Sequence, residues 1–128
     1  MAYWIWVSLA AGLASHQEQL AQHGGGDCVR DGGLVESAMA PPQNVAAYGD
    51  PAAADLTASY AFGLARTHPF IDGNKRTALV VSELFLAKNG LILKATNAEA
   101  AVVFLDLASG ALTEAELAGW FRGRITGE

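Results

Sequence analysis

The 128-residue chain has little charge and a single cysteine. Only 16% of its residues are Asp, Glu, Lys or Arg, and the net charge is −5, so it lacks the basic face that binding to nucleic acid requires. Cys28 has no second cysteine to pair with, which excludes an internal disulfide and fits a reducing compartment. We therefore expect a cytoplasmic protein with no direct nucleic-acid partner. The low charge also suggests that a partner protein covers some apolar surface.

The uncharged first fourteen residues, Met1–Ala14, are too few to span a membrane. A spanning helix needs about 20 apolar residues. A secretory signal would start with a basic residue, and no Lys or Arg precedes this run. Because Leu9, Leu13 and Leu20 suit one helical face, we interpret the segment as part of a first core helix, with a signal peptide as the minor alternative. We expect no membrane partner.

The rest of the chain is typical of one all-α domain over residues 1–128, a compact bundle of about six helices. The predicted helices cover about 8–23, 34–39, 50–67 and 74–89, and residues 41–50 are predicted to form a loop. Leu91–Leu93 is predicted to be briefly extended. Capping boxes that begin at Thr96 and Thr113 indicate two further helices. No repeat, low-complexity run or linker interrupts the pattern.

Polar chemistry is concentrated in the motif His68-Pro69-Phe70-Ile71-Asp72-Gly73-Asn74-Lys75-Arg76-Thr77. Histidine titrates at roughly pH 6.5, so His68 is a candidate general base. Asp72 offers the hard oxygen that Mg²⁺ prefers, and Gly73 permits a close backbone approach. Asn74, Lys75 and Arg76 begin a helix, whose free amides attract anions. The motif therefore indicates a site for a metal-bound polyphosphate beside a base.

Each of these residues also has an ordinary structural interpretation. Asp72-Gly73 is a common turn pair, and Lys75 with Arg76 is often a solvated helix start. Two cations at a helix N-terminus, however, oppose the macrodipole unless an anion compensates them. The combination of these residues in one motif therefore favours a functional site over a purely structural role.

The motif resembles the signature of the Fic/Doc family, and specifically its death-on-curing (Doc) branch. The similarity extends to His16–Leu20 with Gly24-Gly25 and to Arg30–Ala38, and so covers most of the chain. The resemblance implies an all-α Fic fold with the motif between two central helices, and ATP and Mg²⁺ as ligands. The roles that it implies are a base on a target hydroxyl for His68, a Mg²⁺ ligand for Asp72, and phosphate binding by Gly73, Asn74, Lys75 and Arg76, with Arg76 also catalytic.

One departure bears on the reaction. Family members that transfer AMP typically have Gly-Asn-Gly before the arginine, whereas this chain has Gly73-Asn74-Lys75. The resemblance to the Doc branch then implies a toxin kinase that transfers the γ-phosphate of ATP to a threonine of elongation factor Tu, stops translation, and is neutralised by a cognate antitoxin. The alternatives are an AMP transferase that uses the same His68, and a catalytically silent partner-binding module.

Overall fold

A computed structural model describes residues 3–23, 32–67 and 74–127. Within these ranges the protein has seven helices and one two-stranded antiparallel sheet, which confirms the all-α prediction. The elements are α1 (Leu9–His23), α2 (Gly32–Met39), α3 (Pro41–Tyr48), α4 (Ala53–Thr67), α5 (Asn74–Lys88), β1 (Leu91–Leu93), α6 (Asn97–Ser109), α7 (Glu114–Arg122) and β2 (Ile125–Gly127). No helix among the described residues is long and apolar enough to cross a membrane.

The helix α3 replaces most of the loop that was predicted over residues 41–50, so that prediction was wrong. Pro41 and Pro42 occupy the first positions of α3, where a missing N–H leaves no hydrogen bond unmade. The two prolines therefore end α2 and begin the next helix, and Pro42 is buried. The connection to α4 is correspondingly short.

The start of α4 was also predicted too early, at Asp50-Pro51. The helix begins at Ala53, and its first turn is fixed by Asp55, whose Oδ2 accepts a hydrogen bond from the Ala52 N–H at 2.9 Å. By contrast, α5 begins at Asn74 and ends at Lys88, close to the predicted bounds. Gly90, with φ of 75°, supplies the left-handed residue that follows its end.

The helix α4 lies at the centre of the core. Its predicted apolar stripe is confirmed, because Leu56, Tyr60 and Leu64 are all fully buried. It packs against α2, α3, α5, α6 and α7, and α5 in turn packs against α1, α6 and β1. The helices on either side of residues 68–73 are therefore the two central helices of the fold.

The helix α2 approaches α4 closely at Gly63. A Cβ on Gly63 would meet the carbonyl group of Ala38, with the carbonyl carbon only 3.2 Å away. Backbone atoms cannot move aside as the end of a flexible side chain can. The absence of a side chain at Gly63 thus sets the distance between the two helices.

Residues 3–8 precede α1 as a segment outside any helix or strand, which the sequence did not predict. Tyr60 Oη accepts a hydrogen bond from the Val7 N–H at 3.1 Å and lies 3.4 Å from the Val7 carbonyl oxygen, to which it donates. The Asn89 side chain makes an equivalent pair with Ile5, accepting from its N–H and donating to its carbonyl, both at 2.9 Å. The uncharged N-terminal run is therefore held on α4 and on the end of α5, with Trp6 stacked on Phe85 and Trp4 tilted against the same ring.

The C-terminal part closes through β1 and β2, which pair from Leu91–Gly127 to Leu93–Ile125. The predicted capping box at Thr113 is complete, with both reciprocal hydrogen bonds to Glu116 present. At Thr96 half of the predicted box forms. Its side chain accepts from the Glu99 N–H, while the Glu99 carboxylate pairs with Arg124 at 3.3 Å.

We predict that Gly63→Ala lowers the free energy of unfolding by about 1–3 kcal/mol, the usual cost of overpacking a close contact. Gly119→Ala in α7 is the matched control, because a Cβ there meets nothing within 4 Å. That change should raise stability by about 0.5–1 kcal/mol through helix propensity. Urea unfolding of both variants measures the difference, and equal effects at the two sites would contradict the proposed steric limit.

We predict that Tyr60→Phe destabilises the protein by about 1–3 kcal/mol at neutral pH, because Val7 loses both partners in a buried setting. Burial raises the pKa of Tyr60 above its ordinary value of 10.0, against a smaller opposing effect of the Val7 hydrogen bond. The unfolded chain therefore ionises first, and this contribution is present below pH 10 and lost as the pH rises further. The stability gap between wild type and variant should narrow above about pH 10 in unfolding titrations. A constant gap would contradict this.

Candidate functional site

The predicted site residues divide between the described and the remaining parts of the chain. His68, Asp72 and Gly73 lie outside the described residues, and their predicted roles stay predictions. Asn74, Lys75 and Arg76 form the first turn of α5, as the sequence indicated. The side chains of Lys75 and Arg76 are exposed, and both line the same cleft.

The first turn of α5 is positively charged for two reasons. Its backbone N–H groups have no intrahelical acceptor and carry the positive end of the helix dipole, and two cations add to this. The two ion pairs found in the described ranges, Arg122 with Asp55 and Arg124 with Glu99, lie elsewhere. Neither Lys75 nor Arg76 is neutralised by a described carboxylate, so this end of the cleft favours an anion.

The cleft has a volume of about 560 Å³ and lies between α1, α5 and α6. Its polar lining is Gln19, Lys75, Arg76 and Asn97. The remainder is apolar and comes from two helices, with Leu79 and Val80 on α5 and Ala100, Ala101, Phe104 and Leu105 on α6. One end of the cleft is thus cationic, and the rest is a hydrophobic slot.

The buried face of α1 is more polar than the leucine face that the sequence predicted, although Leu13 packs against the core as expected. Leu9 is 36% exposed, and the side chains that are buried include His16, at 1%, and Gln19, at 8%. These lie about one turn apart on α1, and Gln19 lines the cleft together with residues of α5. The helix α1 therefore brings an amide, and not an aliphatic side chain, to the cleft.

Sequence reasoning did not identify the residues that α1 and α6 contribute. Gln19 falls within the block His16–Leu20 that resembles the family, but nothing in the residue pattern gave it a role. Phe104 and Ala101 are ordinary members of an Ala-rich helix. Only the packing of α6 beside α5 places them opposite Lys75 and Arg76.

Thr77 follows Arg76 and is fully buried, and its hydroxyl has no hydrogen-bond partner among the described residues. Other helical hydroxyls behave differently. Thr57, equally buried, donates to the Ala53 carbonyl at 2.7 Å, and Ser82 donates to that of Ala78 at 2.7 Å. An unpaired buried hydroxyl costs free energy, so the start of α5 is not optimised for stability in this state.

Metal ligation by the described residues alone is not indicated, since residues 3–23, 32–67 and 74–127 contain no group of three or more His, Cys, Asp or Glu side chains arranged to hold an ion. A magnesium ion commonly binds through one or two carboxylates together with substrate phosphates. Asp72, the predicted Mg²⁺ ligand, lies outside the described residues, so its role stays a prediction.

The family model for the Fic/DOC family matches residues 6–86, which is well over half of the chain. This chain belongs to the Fic/DOC family. The match runs from the N-terminal segment before α1 through most of α5, and it includes the motif and the first turn of α5 with its two cations. It ends before α6, so the apolar wall that α6 supplies is not part of what the family model matches.

Two curated relatives support the resemblance to Doc-type members. The chain is 45% identical over 71 residues to "Toxin Doc" of Mycolicibacterium smegmatis, an alignment that covers 52% of this chain and 53% of the relative. It is 35% identical over 80 residues to "Protein kinase doc" of Escherichia phage P1, covering 62% of this chain and 64% of the relative. The chain therefore spans between about half and two thirds of the length of these relatives.

We predict that Thr77→Val leaves the free energy of unfolding unchanged or raises it, because the substitution removes a buried hydroxyl that makes no hydrogen bond with the described residues. Thr57→Val, at a site of equal burial, should lower it by about 1 kcal/mol, since a formed hydrogen bond is lost. Chemical denaturation of the two variants tests this. An equal loss at both positions would show that the Thr77 hydroxyl is already paired in the free protein.

Proposed function

We propose that this chain is a Doc-type toxin kinase, which transfers the γ-phosphate of ATP to a protein hydroxyl. The observation that carries the proposal is the position of Lys75 and Arg76 on the first turn of α5, where both line one cleft and neither pairs with a described carboxylate. Such a turn suits a polyphosphate, because amides, dipole and side chains all favour negative charge. The kinase named among the relatives supports the same reaction.

Lys75 supports phosphate transfer over AMP transfer. A glycine at this position would leave room for the backbone to wrap around a phosphate, whereas lysine supplies a mobile point charge instead. The lysine is exposed at the cleft and free of described ion pairs. Arg76 supplies a planar fork for two phosphate oxygens beside it.

In the proposed reaction, His68 accepts the proton of the target hydroxyl. The hydroxyl oxygen then forms a bond to the γ-phosphorus, the bond between that phosphorus and the bridging oxygen breaks, and ADP leaves with the electron pair. Lys75 and Arg76 hold the phosphates and stabilise the charge that develops on them. Asp72, with the phosphates, would hold Mg²⁺, which neutralises phosphate charge when bound.

The protein partners follow from the same proposal. By resemblance to the Doc branch, the target is a threonine of elongation factor Tu, and its modification stops translation in the cytoplasm. A cognate antitoxin neutralises the toxin. The relative named "Toxin Doc" supports the toxin part of this proposal.

The reaction is tested by incubating the purified chain and elongation factor Tu with ATP that is labelled on either the α- or the γ-phosphate. We expect the γ label on the factor and no α label. Transfer of the α label would contradict the kinase and identify an AMP transferase. Absence of both labels, with an intact fold, would favour a silent binding module.

His68→Ala and Arg76→Lys test the assigned roles in the same assay. Loss of the base should slow transfer by about 10²–10⁴-fold. Replacing a bidentate contact by a point charge should slow it by about tenfold. Arg122→Lys is the matched control with no expected effect, because Arg122 is on α7 and does not line the cleft. Unchanged growth arrest by the His68 variant would rule out catalysis as the basis of toxicity.

A further inference from the structure

The guanidinium group of Arg66 is held in place at the end of α4. Its central carbon lies 5.4 Å from the centroid of the Phe62 ring, one turn earlier on the same helix. It also packs against Gly110, which follows α6, because a Cβ built on Gly110 would lie 3.6–3.7 Å from three atoms of the guanidinium group. Three nearly equal distances mean that a face of this planar group is turned towards Gly110. A ring and a backbone thus restrain a side chain that is otherwise exposed.

The N–H donors of Arg66 are unused in the part of the chain that the structure describes, where Arg66 forms no hydrogen bond and no ion pair. Arg122 and Arg124, by contrast, pair with Asp55 and Glu99 at 2.9 and 3.3 Å. A guanidinium group presents its donors in a planar fork that matches a carboxylate. A restrained fork with free donors is a preformed site for an anion.

A purely structural role for Arg66 would be to cap the end of α6, since an arginine near a helix C-terminus can donate to the last carbonyl groups. The backbone already does this. The Gly110 N–H bonds to the carbonyl groups of Asp106 and Leu107, and the Ala111 N–H bonds to that of Asp106 at 2.9 Å. The dipole of α6 attracts the cation but leaves its donors unused.

The location of Arg66 indicates which anion it binds. Arg66 does not line the cleft that contains Lys75 and Arg76, so it lies apart from the position proposed for the phosphates. It precedes the proposed base, His68, by two residues, and covalent geometry keeps the Cα atoms of two such residues within about 7 Å of each other. An anion at Arg66 is therefore close to the hydroxyl that His68 would deprotonate, on the protein that carries this hydroxyl.

The charge of the chain supports the same assignment. Its net charge of −5 repels an acidic protein segment in general. Cations, however, stand on both sides of the motif, with Arg66 before it and Lys75 and Arg76 at its end. When Lys75 and Arg76 hold the phosphates of ATP, Arg66 remains for the protein substrate.

We propose that Arg66 is a specificity-determining residue that binds a carboxylate of the protein substrate, from an Asp or Glu close to the target hydroxyl. This role rests on the proposed kinase function and adds to it the kind of sequence that the enzyme selects. The fork accepts the carboxylate through parallel hydrogen bonds. Because Phe62 and Gly110 already restrain the side chain, little rotamer freedom is lost on binding.

The test measures phosphate transfer from labelled ATP to elongation factor Tu by the full chain and three variants. Arg66→Gln removes the charge and the fork, and Arg66→Lys keeps the charge alone. Arg124→Gln is the matched control, because Arg124 also stacks on a ring, 5.0 Å from the centroid of Trp120, but is paired with Glu99. Calorimetry measures the affinity for a non-hydrolysable ATP analogue, and circular dichroism confirms that the variants are folded.

We expect Arg66→Gln to raise the KM for the factor by about tenfold or more, with kcat and the affinity for the ATP analogue unchanged. Arg66→Lys should have an intermediate KM, and Arg124→Gln should match wild type. Added salt should raise the KM of wild type more than that of Arg66→Gln, because the salt screens the contact that the variant lacks. A merely structural role of Arg66 would not change this salt dependence.

The partner carboxylate is identified on the factor itself. Mass spectrometry locates the phosphorylated hydroxyl, and each neighbouring Asp or Glu is then changed to Asn or Gln. One of these changes should raise the KM of wild type as much as Arg66→Gln does, and it should cause no further rise when it is combined with Arg66→Gln. Additive effects at every neighbouring position would contradict the contact.

Other results would also overturn the role of Arg66. A wild-type KM for Arg66→Gln would exclude it while leaving the kinase proposal intact. An unchanged KM with weaker binding of the ATP analogue would assign Arg66 to a phosphate of the nucleotide. An unchanged KM with escape from antitoxin neutralisation in cells would assign it to that partner. If wild type transfers no phosphate to the factor, the proposed function fails, and the role of Arg66 fails with it.

Discussion

The packing of α4 against α5 is the constraint on which the rest of the structure depends. Tyr60 and Phe85 meet at its centre with their rings 5.2 Å apart, and both are fully buried. The two helices are consecutive in the chain. Burial of their facing sides therefore fixes the positions of Thr67, at the end of α4, and of Asn74, at the start of α5. The position of the first turn of α5, with Lys75 and Arg76, thus follows from the hydrophobic contact between Tyr60 and Phe85. Without this contact Lys75 and Arg76 would have no fixed place relative to α6.

The same core also organises the N-terminal part. The Tyr60 hydroxyl binds both backbone groups of Val7, and the Asn89 amide binds both of Ile5. Two side chains thus supply backbone hydrogen bonds to a segment that has no helix or strand of its own. These hydrogen bonds fix the start of α1 beside the end of α5. The C-terminal half of α1 then lies near the start of α5, where Gln19 lines the cleft. The uncharged N-terminal run, which resembles a targeting segment, in this way helps to position α1 at the cleft.

Local signals in the sequence were reliable where the relevant interaction is local. The start of α5 at Asn74, its end before Gly90 and the complete cap at Thr113 depend on residues within a few positions of one another. The errors have equally physical causes. Pro41-Pro42 ends one helix and starts another, and a proline pair alone does not say which follows. On α1, the spacing of leucines suggested an aliphatic buried face, but Leu9 is exposed while His16 and Gln19 are buried, because the tertiary packing decides which side of the helix is covered.

By itself, the sequence determined the family, through the motif from His68 to Thr77, and the all-α class, through helix periodicity and caps. It also determined that two cations lie in the first turn of the helix that begins within the motif, because that depends only on residues next to one another in the chain. Only the tertiary structure decided that these cations open onto a slot walled by α6 and that the amide of Gln19 reaches it. The physical reason is distance along the chain. Gln19, Arg76 and Phe104 meet because the core packs three helices together, and no local pattern records which faces that packing leaves open.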